Sequence, residues 1–400
     1  MQINKSYLTY CTNIHPGESW KEHFSAIRKH FPSIKKQISL NQPMGIGLRL
    51  SNTASLELLK DKNIENFKKW LIKENGYVFT MNGFPYGDFH QTRVKDNVHS
   101  PDWTTNERVE YTQRLFQILS KLLPENIDGG ISTSPLSYRH WHTVEETKEV
   151  KKKSVENILK IVGQLVDIKQ KTLKVLHLDI EPEPDGVLET GDEFIDWFDS
   201  YLLPIGVRYI SEKFAVEKEL AEIMLKEHVR LCYDVCHFAI GYEKHTEIIN
   251  KLKQRGIKVG KIQISAALKV ALPEKNTNRK KITEAFSNFN ESTYLHQVVA
   301  RKKDKSLIRY RDLPEALEDI ENKDVCEWRS HFHVPIFLKE FGALCSTQSD
   351  IEEVFKIHNF KAVTNHLEVE TYTWEVLPKE LKLPIQESII RELEWVKNQM

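Results

Sequence analysis

The chain has 400 residues, 40% apolar and 28% charged, enough for a large core and too apolar for a disordered chain. Lysine plus arginine and aspartate plus glutamate number 57 each, so the formal charge is zero, which argues against nucleic-acid binding as the main task. No apolar stretch reaches membrane-spanning length and the first residues lack a signal-peptide core. Five scattered cysteines (Cys11, Cys232, Cys236, Cys326, Cys345) form no disulfide framework, so a cytoplasmic protein with reduced thiols is expected.

Tyr7 to Cys11 reads as a first strand, followed by a turn and a helix carrying Trp20, Phe24 and Ile27. Met44 to Leu50 is the second strand. Ser51 or Asn52 caps the helix after it, which Gly76 ends as a left-handed C-cap. Tyr77 to Met81 is the third strand, Gly130 to Ser134 the fourth and Leu173 to Ile180 the fifth. His228 to Asp234, Ile257 to Ile264 and Lys361 to Val369 complete the set. Helices are expected between them, among them Asn106 to Leu123, a long one ending near Leu165, Glu193 to Tyr201, Val216 to Glu227, and Tyr242 to Arg255 closed by Gly256. Eight such units point to an α/β fold, a (β/α)8 barrel.

Roughly a hundred residues separate the seventh and eighth strands, too many for a bare loop. The stretch 266–348 is therefore expected as a structured insertion. It should hold helical material near Ile282 to Val299, a polar stretch from Arg301 to Arg311, and a strand-like run from His331 to Leu338. The barrel is expected over 1–375, with 376–400 as a C-terminal helical extension built on Ile385, Ile389, Leu393 and Val396.

The chemistry-bearing residues fall at the strand ends. Glu181 and Glu183 leave the fifth strand in a run stiffened by Pro182 and Pro184, suited to a hard or borderline divalent cation. Asp234 and His237 leave the sixth as D-x-x-H; the plain alternative is that Asp234 caps a helix. Gln263 ends the seventh and offers an amide oxygen. His331 and His333 alternate along the insertion, an imidazole pair that suits Mn, Zn or Fe. Glu370, nearer the mouth than Glu368, is the better ligand of the last strand. Asn13, His15, Arg49, Asn82, His140, Glu183, His296, Arg329 and Trp374 sit where substrate contacts are expected. Cys232 and Cys236 lack a second cysteine pair and read as buried neutral thiols. Nucleotide and serine-hydrolase motifs are absent.

These residues resemble the xylose isomerase-like barrel superfamily, which includes sugar isomerases, epimerases and an abasic-site endonuclease. The resemblance implies divalent metal at Glu181, at Asp234 with His237, and at Glu370 or Glu368. That superfamily often has His at the penultimate strand end. Gln263 stands there in this chain, and His331 or His333 can supply the missing imidazole. The strings YCTNIHPGE, LDIEPEPDG, YDVCHFA, RSHFHVPIF and LEVETYTW are more closely similar to the ebo-cluster "metabolite traffic" proteins (EboE-like). That likeness implies processing or traffic of a secondary-metabolite precursor beside membrane-protein or pathway-enzyme partners.

The expected function is a divalent-metal-dependent sugar or polyol isomerase or epimerase, with Glu181 or Glu370 relaying a proton and His237 or His333 stabilising developing negative charge. The alternatives are a metal-dependent hydrolase of a small phosphoester and a non-catalytic metabolite-binding or scaffold protein.

Overall fold

A computed structural model describes residues 1–87, 94–274, 276–371 and 382–400, without the side chains of 276–278. Eight parallel strands form the central sheet: β1 (Ser6–Tyr10), β2 (Met44–Arg49), β3 (Gly76–Asn82), β4 (Gly129–Thr133), β5 (Leu176–Ile180), β6 (Val229–Asp234), β7 (Val259–Ile264) and β8 (His366–Val369). They pair in the order β1-β8-β7-β6-β5-β4-β3-β2, and a two-residue antiparallel strand, Gln2–Ile3, adds to β1. Short apolar runs such as LHLDI and VRLCYD are buried along their whole length, as strands covered on both faces must be.

The ring closes between β1 and β2 through one backbone bridge, Cys11 to Gly47. Threonine hydroxyls carry the rest of that seam. Thr9 Oγ1 accepts from the Gly47 N–H at 3.0 Å and donates to the Gly45 carbonyl at 2.9 Å, and Thr12 Oγ1 accepts from the Arg49 N–H at 2.8 Å. The α/β barrel expected from the strand spacing is therefore present.

Its interior is unusually polar for a barrel core, which branched apolar residues normally fill. Lys261 and Glu368 form a fully buried ion pair at mid-height. Glycine makes room for it: a Cβ on Gly47 would overlap the Glu368 carboxylate and stand 2.7 Å from the Tyr10 carbonyl oxygen. A Cβ on Gly260 would likewise overlap the Asp179 carboxylate.

Helices ring the sheet. Ser19 and Thr143 open two of them with full capping boxes, and Ser51 rather than Asn52 caps the short helix Asn52–Leu58. The helix Ile385–Gln399 packs against the first helix, Trp20–Ile38, and beside β1. It takes a place in the ring next to the strand it follows, and the expected 375/376 boundary lies outside the described residues.

The insertion between β7 and β8 forms a separate six-stranded antiparallel sheet. Its order is Leu307–Tyr310, Val298–Lys302, Val325–Ser330, Leu268–Ala271, Leu344–Ser346 and Glu340–Phe341. Several expectations are corrected here. The helical material expected near Ile282 to Val299 is the helix Asn276–Ser287, a second short helix covers Leu313–Glu318, and Val298 and Val299 belong to a strand. The polar stretch 301–311 is the turn and second strand of a hairpin, whose half-exposed strands need few apolar residues. His331 and His333 lie in irregular chain just after a strand.

Strand and helix limits shift as well. The long helix runs on to Thr172, and Leu173 is its left-handed C-cap rather than the start of β5. The last strand begins only at His366, after a helix over Gln348–Phe360 and irregular chain over 361–365. Asn75, at φ 51°, takes the left-handed position assigned to Gly76, which begins β3 instead. Gly256, at φ 66°, does close its helix as expected.

Candidate metal centre at the barrel mouth

Five chain segments meet at the C-terminal end of the barrel. The Glu181 N–H donates to the Thr133 carbonyl at 3.0 Å, which holds the chain beside β4 for one residue beyond β5. Pro182 and Pro184 then turn it away and leave both glutamates on the cavity wall.

Asp234 ends β6 and caps the helix Val235–Ile240. Its Oδ1 accepts from the His237 N–H at 3.1 Å and from Ser265 Oγ at 2.6 Å. The capping reading and the ligand reading are thus compatible, because Oδ2 is buried and has no hydrogen-bond partner among the described residues.

The three histidines share one arrangement. His237 Nδ1 lies 3.0 Å from the Pro182 carbonyl oxygen, His333 Nδ1 lies 2.9 Å from the Glu370 carbonyl oxygen, and His331 Nδ1 lies 2.8 Å from Gln297 Oε1. Gln297 is oriented by its own Nε2, which donates to the Pro184 carbonyl at 3.1 Å. Each acceptor can only accept, so each Nδ1 carries a proton and each ring turns its Nε2 atom inward.

The Nε2 atoms converge. His237 Nε2 and His331 Nε2 are 3.1 Å apart, and His333 Nε2 is 3.8 Å from Asp234 Oδ2. Two imidazole nitrogens at that distance are held together by a proton between them or by a cation beside both. Overlapping donor triads result: Asp234, His237 and His333; Glu183, His237 and His331; Glu181, Asp234 and Glu370. Fixed tautomers, clustered Nε2 atoms and bare carboxylate oxygens fit a divalent ion.

The electrostatics agree. Burial, with His237 and His333 beside it, holds His331 neutral by pushing its pKa well down, and burial brings His333 to about 4. Asp234 stays below the usual carboxylate range: burial opposes ionisation, but His237, His333 and the two hydrogen bonds outweigh it. Glu181 is pushed up by burial and by Glu370, Asp234 and Glu183, and its Oε2 has no hydrogen-bond partner among the described residues.

Glu370 is also raised by burial, then by Asp234 and Glu368. Its carboxylate is clasped by amides. Asn13 and Asn82 donate to Oε1 at 2.8 and 2.7 Å, and Gln263 donates to Oε2 at 2.5 Å. Gln263 is corrected as a ligand: its oxygen accepts from the Cys232 thiol, and the amide serves Glu370. Burial raises the Cys232 and Cys236 thiols well above their ordinary pKa, in keeping with inert neutral cysteines.

Asn13, Asn82 and Glu183 line the cavity, and Glu183 pairs with His99 Nε2 at 3.0 Å. Five other expected substrate residues are engaged elsewhere. Arg49 is buried against Glu18 and the Gly17 and Gly87 carbonyls. His15 stacks on His30 and reaches the Tyr10 hydroxyl. His140 bonds Asp185. His296 stacks on Phe332 and bonds Glu291, bracing the His331 segment. Arg329 binds Asp350, Glu327 and the Ala239 carbonyl under Tyr242. Trp374 lies outside the described residues.

Gln297 and His99 are missing from the sequence reading. Gln297 adjoins the candidate His296, but a residue that fixes a tautomer has no motif of its own. The cavity holds about 60 Å³, small beside the ~300–1,000 Å³ of ordinary ligand clefts. Tyr294, Leu295, Val94 and Val98 are among the residues that wall it.

Fold and site together define a parallel (β/α)8 barrel with a mouth of imidazole and carboxylate donors. No protein-family model matches the chain, and no curated protein is similar to it. Solved structures that align with it include the IOLI protein with a binding zinc atom (12% identity, 98% of this chain and 97% of that one, TM-score 0.48). Others are a D-tagatose 3-epimerase-like protein (11%, 98% and 96%, 0.48) and an L-ribulose 3-epimerase (8%, 98% and 93%, 0.49). No helix among the described residues is long and apolar enough to cross a membrane.

Proposed function

We propose that the protein is a divalent-metal-dependent isomerase or epimerase acting on a sugar-like or polyol substrate. One observation carries this reading: three histidines are each tied through Nδ1 to an oxygen, and His237 Nε2 faces His331 Nε2 while His333 Nε2 faces the bare Oδ2 of Asp234. His237, His331, His333 and Asp234 would hold the ion, and so nitrogen-rich a donor set favours Zn or Fe, then Mn. When bound, the ion supplies Lewis acidity that polarises a substrate carbonyl.

Glu181 is the proton carrier. Burial and the neighbouring carboxylates raise its pKa well above that of an exposed glutamate, and Oε2 is the atom that takes a proton from one carbon and returns it. Glu370, held by three amides, cannot swing; it orients the substrate oxygens and keeps negative charge beside the ion. Lys95, the one lysine or arginine among the described cavity residues, is engaged by Asp312 at 2.6 Å, so an uncharged polyol suits the pocket better than a phosphorylated one. The resemblance to the metabolite traffic proteins favours a secondary-metabolite precursor as substrate, with pathway enzymes or membrane proteins as partners.

A second reading, metal-assisted phosphoester hydrolysis, draws support from the two triads that share His237, since adjacent triads can seat two ions.

The test is elemental analysis of untagged protein, followed by turnover of a ketose and polyol panel in D2O. The wild type should hold about one equivalent of ion at the mouth, and Asp234→Asn should lose it. Glu181→Gln should keep the ion but lose ~10²-fold or more of an activity that places solvent deuterium on substrate carbon. Folded, metal-replete protein with no ion at the mouth would overturn the reading, and two ions there with phosphoester cleavage would replace it by the second.

A further inference from the structure

The opposite end of the barrel carries a second donor cluster that the mouth chemistry does not use. Asp128 immediately precedes β4, His177 is the second residue of β5, and His366 opens β8. β5 and β8 are not neighbours in the sheet, so the cluster spans the barrel floor. His177 Nε2 lies 3.5 Å from Asp128 Oδ2, His366 Nε2 lies 3.2 Å from Asp128 Oδ1, and the two rings are 5.3 Å apart.

Two details separate this arrangement from a directly bonded triad. Charge-assisted N–H···O bonds run at ~2.7–2.9 Å, and neither Nε2 has hydrogen-bonding geometry toward a described partner. In a zinc site with bonds of ~2.0–2.1 Å the ligand atoms lie ~3.3 Å apart, and each Asp128 oxygen stands near that distance from a different imidazole, Oδ1 at 3.2 Å from His366 and Oδ2 at 3.5 Å from His177. His177 Nδ1 is also held by Asp179 Oδ1 at 2.6 Å, the carboxylate–histidine pairing that orients a metal-binding imidazole.

We propose that Asp128, His177 and His366 form a second divalent-metal site of the zinc type, which ties β4, β5 and β8 together at the floor. Asp128 borders an open cavity of about 640 Å³ between β7 and the helices His245–Gln254 and Gln348–Phe360, while His177 and His366 are buried behind it. Arg230 grips Asp128 Oδ2 at 2.8 Å, and Lys253, Lys258 and Lys361 also line the cavity. That positive wall favours water or a small anion as the exchangeable fourth ligand. The floor of such a barrel serves stability rather than chemistry, so this ion is structural.

The competing arrangement has no ion and a protonated His177 between Asp128 and Asp179. Crystals of the full chain grown with zinc in molar excess over both sites, measured on either side of the zinc absorption edge, separate the two. An anomalous peak about 2 Å from all three donors is expected, and peaks at the mouth alone, or none, overturn the proposal.

In solution, Asp128→Asn and His366→Gln should each bind one cobalt equivalent fewer than wild type and show a smaller zinc-induced rise in Tm. Asp234→Asn should retain that equivalent, so a failure of the mouth reading leaves the floor count intact. Folded floor variants that bind as many equivalents as wild type overturn the site, and if neither folds the anomalous measurement decides.

Discussion

Gln297 acts on the mouth through a neighbour. Its Nε2 donates to the Pro184 carbonyl, which fixes the amide so that Oε1 faces His331 Nδ1 at 2.8 Å. Replacing it with leucine removes that acceptor and lets the imidazole exchange tautomers or rotate. Such supports are worth ~10–100-fold in metal affinity. Gln297→Leu should therefore weaken the mouth ion by that factor in a chelator-competition titration, while the far-UV circular dichroism stays unchanged. Unaltered affinity would mean that His331 is oriented by packing alone. The acids and histidines at the mouth were legible in the chain because they sit at the ends of apolar runs. Their supports were not, since an amide that selects a tautomer looks like any other glutamine. The reverse error has the same root: Arg49 and Arg329 are charged and well placed in sequence, yet each is consumed by carboxylates and carbonyls that meet it only in the folded chain.

At the scale of strands, the barrel was readable because parallel strands covered on both faces are nearly continuous apolar runs. The insertion was not, because VVARK and LIRY are half-exposed hairpin strands whose polar residues mask their pairing. The polar interior also left no pattern that periodicity detects, and it places a strict demand on β2. Gly47 lies against Glu368 and the Tyr10 carbonyl, and its N–H completes the Thr9 bond at the β1–β2 seam. Gly47→Ala would drive a methyl group into the buried Lys261–Glu368 pair, moving Glu368 off its lysine or opening the seam. Overpacking of this kind costs ~1–3 kcal/mol, and disturbing a buried ion pair adds to it. A loss of about 3 kcal/mol or more is expected from urea unfolding, read as a lower midpoint at unchanged slope. A neutral result would show that the pair can move aside.

The whole molecule converges on Glu392, on the last helix. Its buried Oε1 accepts from the Thr371 hydroxyl, just past β8, at 2.7 Å, and from the Ile336 N–H of the insertion at 3.3 Å, joining three parts of the fold. Burial pushes its pKa up to about 8 despite both bonds. A glutamate with a raised folded pKa holds its proton longer folded than unfolded, so its contribution is complete below about 4.5 and is lost as pH rises toward 8. His228 has the opposite sign: burial lowers it to about 4, so its contribution is complete above about 6.5 and lost on acidification toward 4. Glu291, pulled to about 2 by His296 and backbone N–H groups against the cost of burial, is invariant over neutral pH. Between pH 6.5 and 8, then, Glu392 gives a downward slope that His228 does not offset. At up to ~1.36 kcal/mol per pH unit, that is about 1.5 kcal/mol across the window. Glu392→Gln keeps the accepting oxygen and removes the ionisation. The difference in unfolding free energy between variant and wild type cancels every other titrating group, so it isolates this one. It should grow in favour of the variant by about 1.5 kcal/mol from pH 6.5 to 8; a difference that stays flat would mean Glu392 ionises freely in the folded protein and the three parts are held together by packing alone.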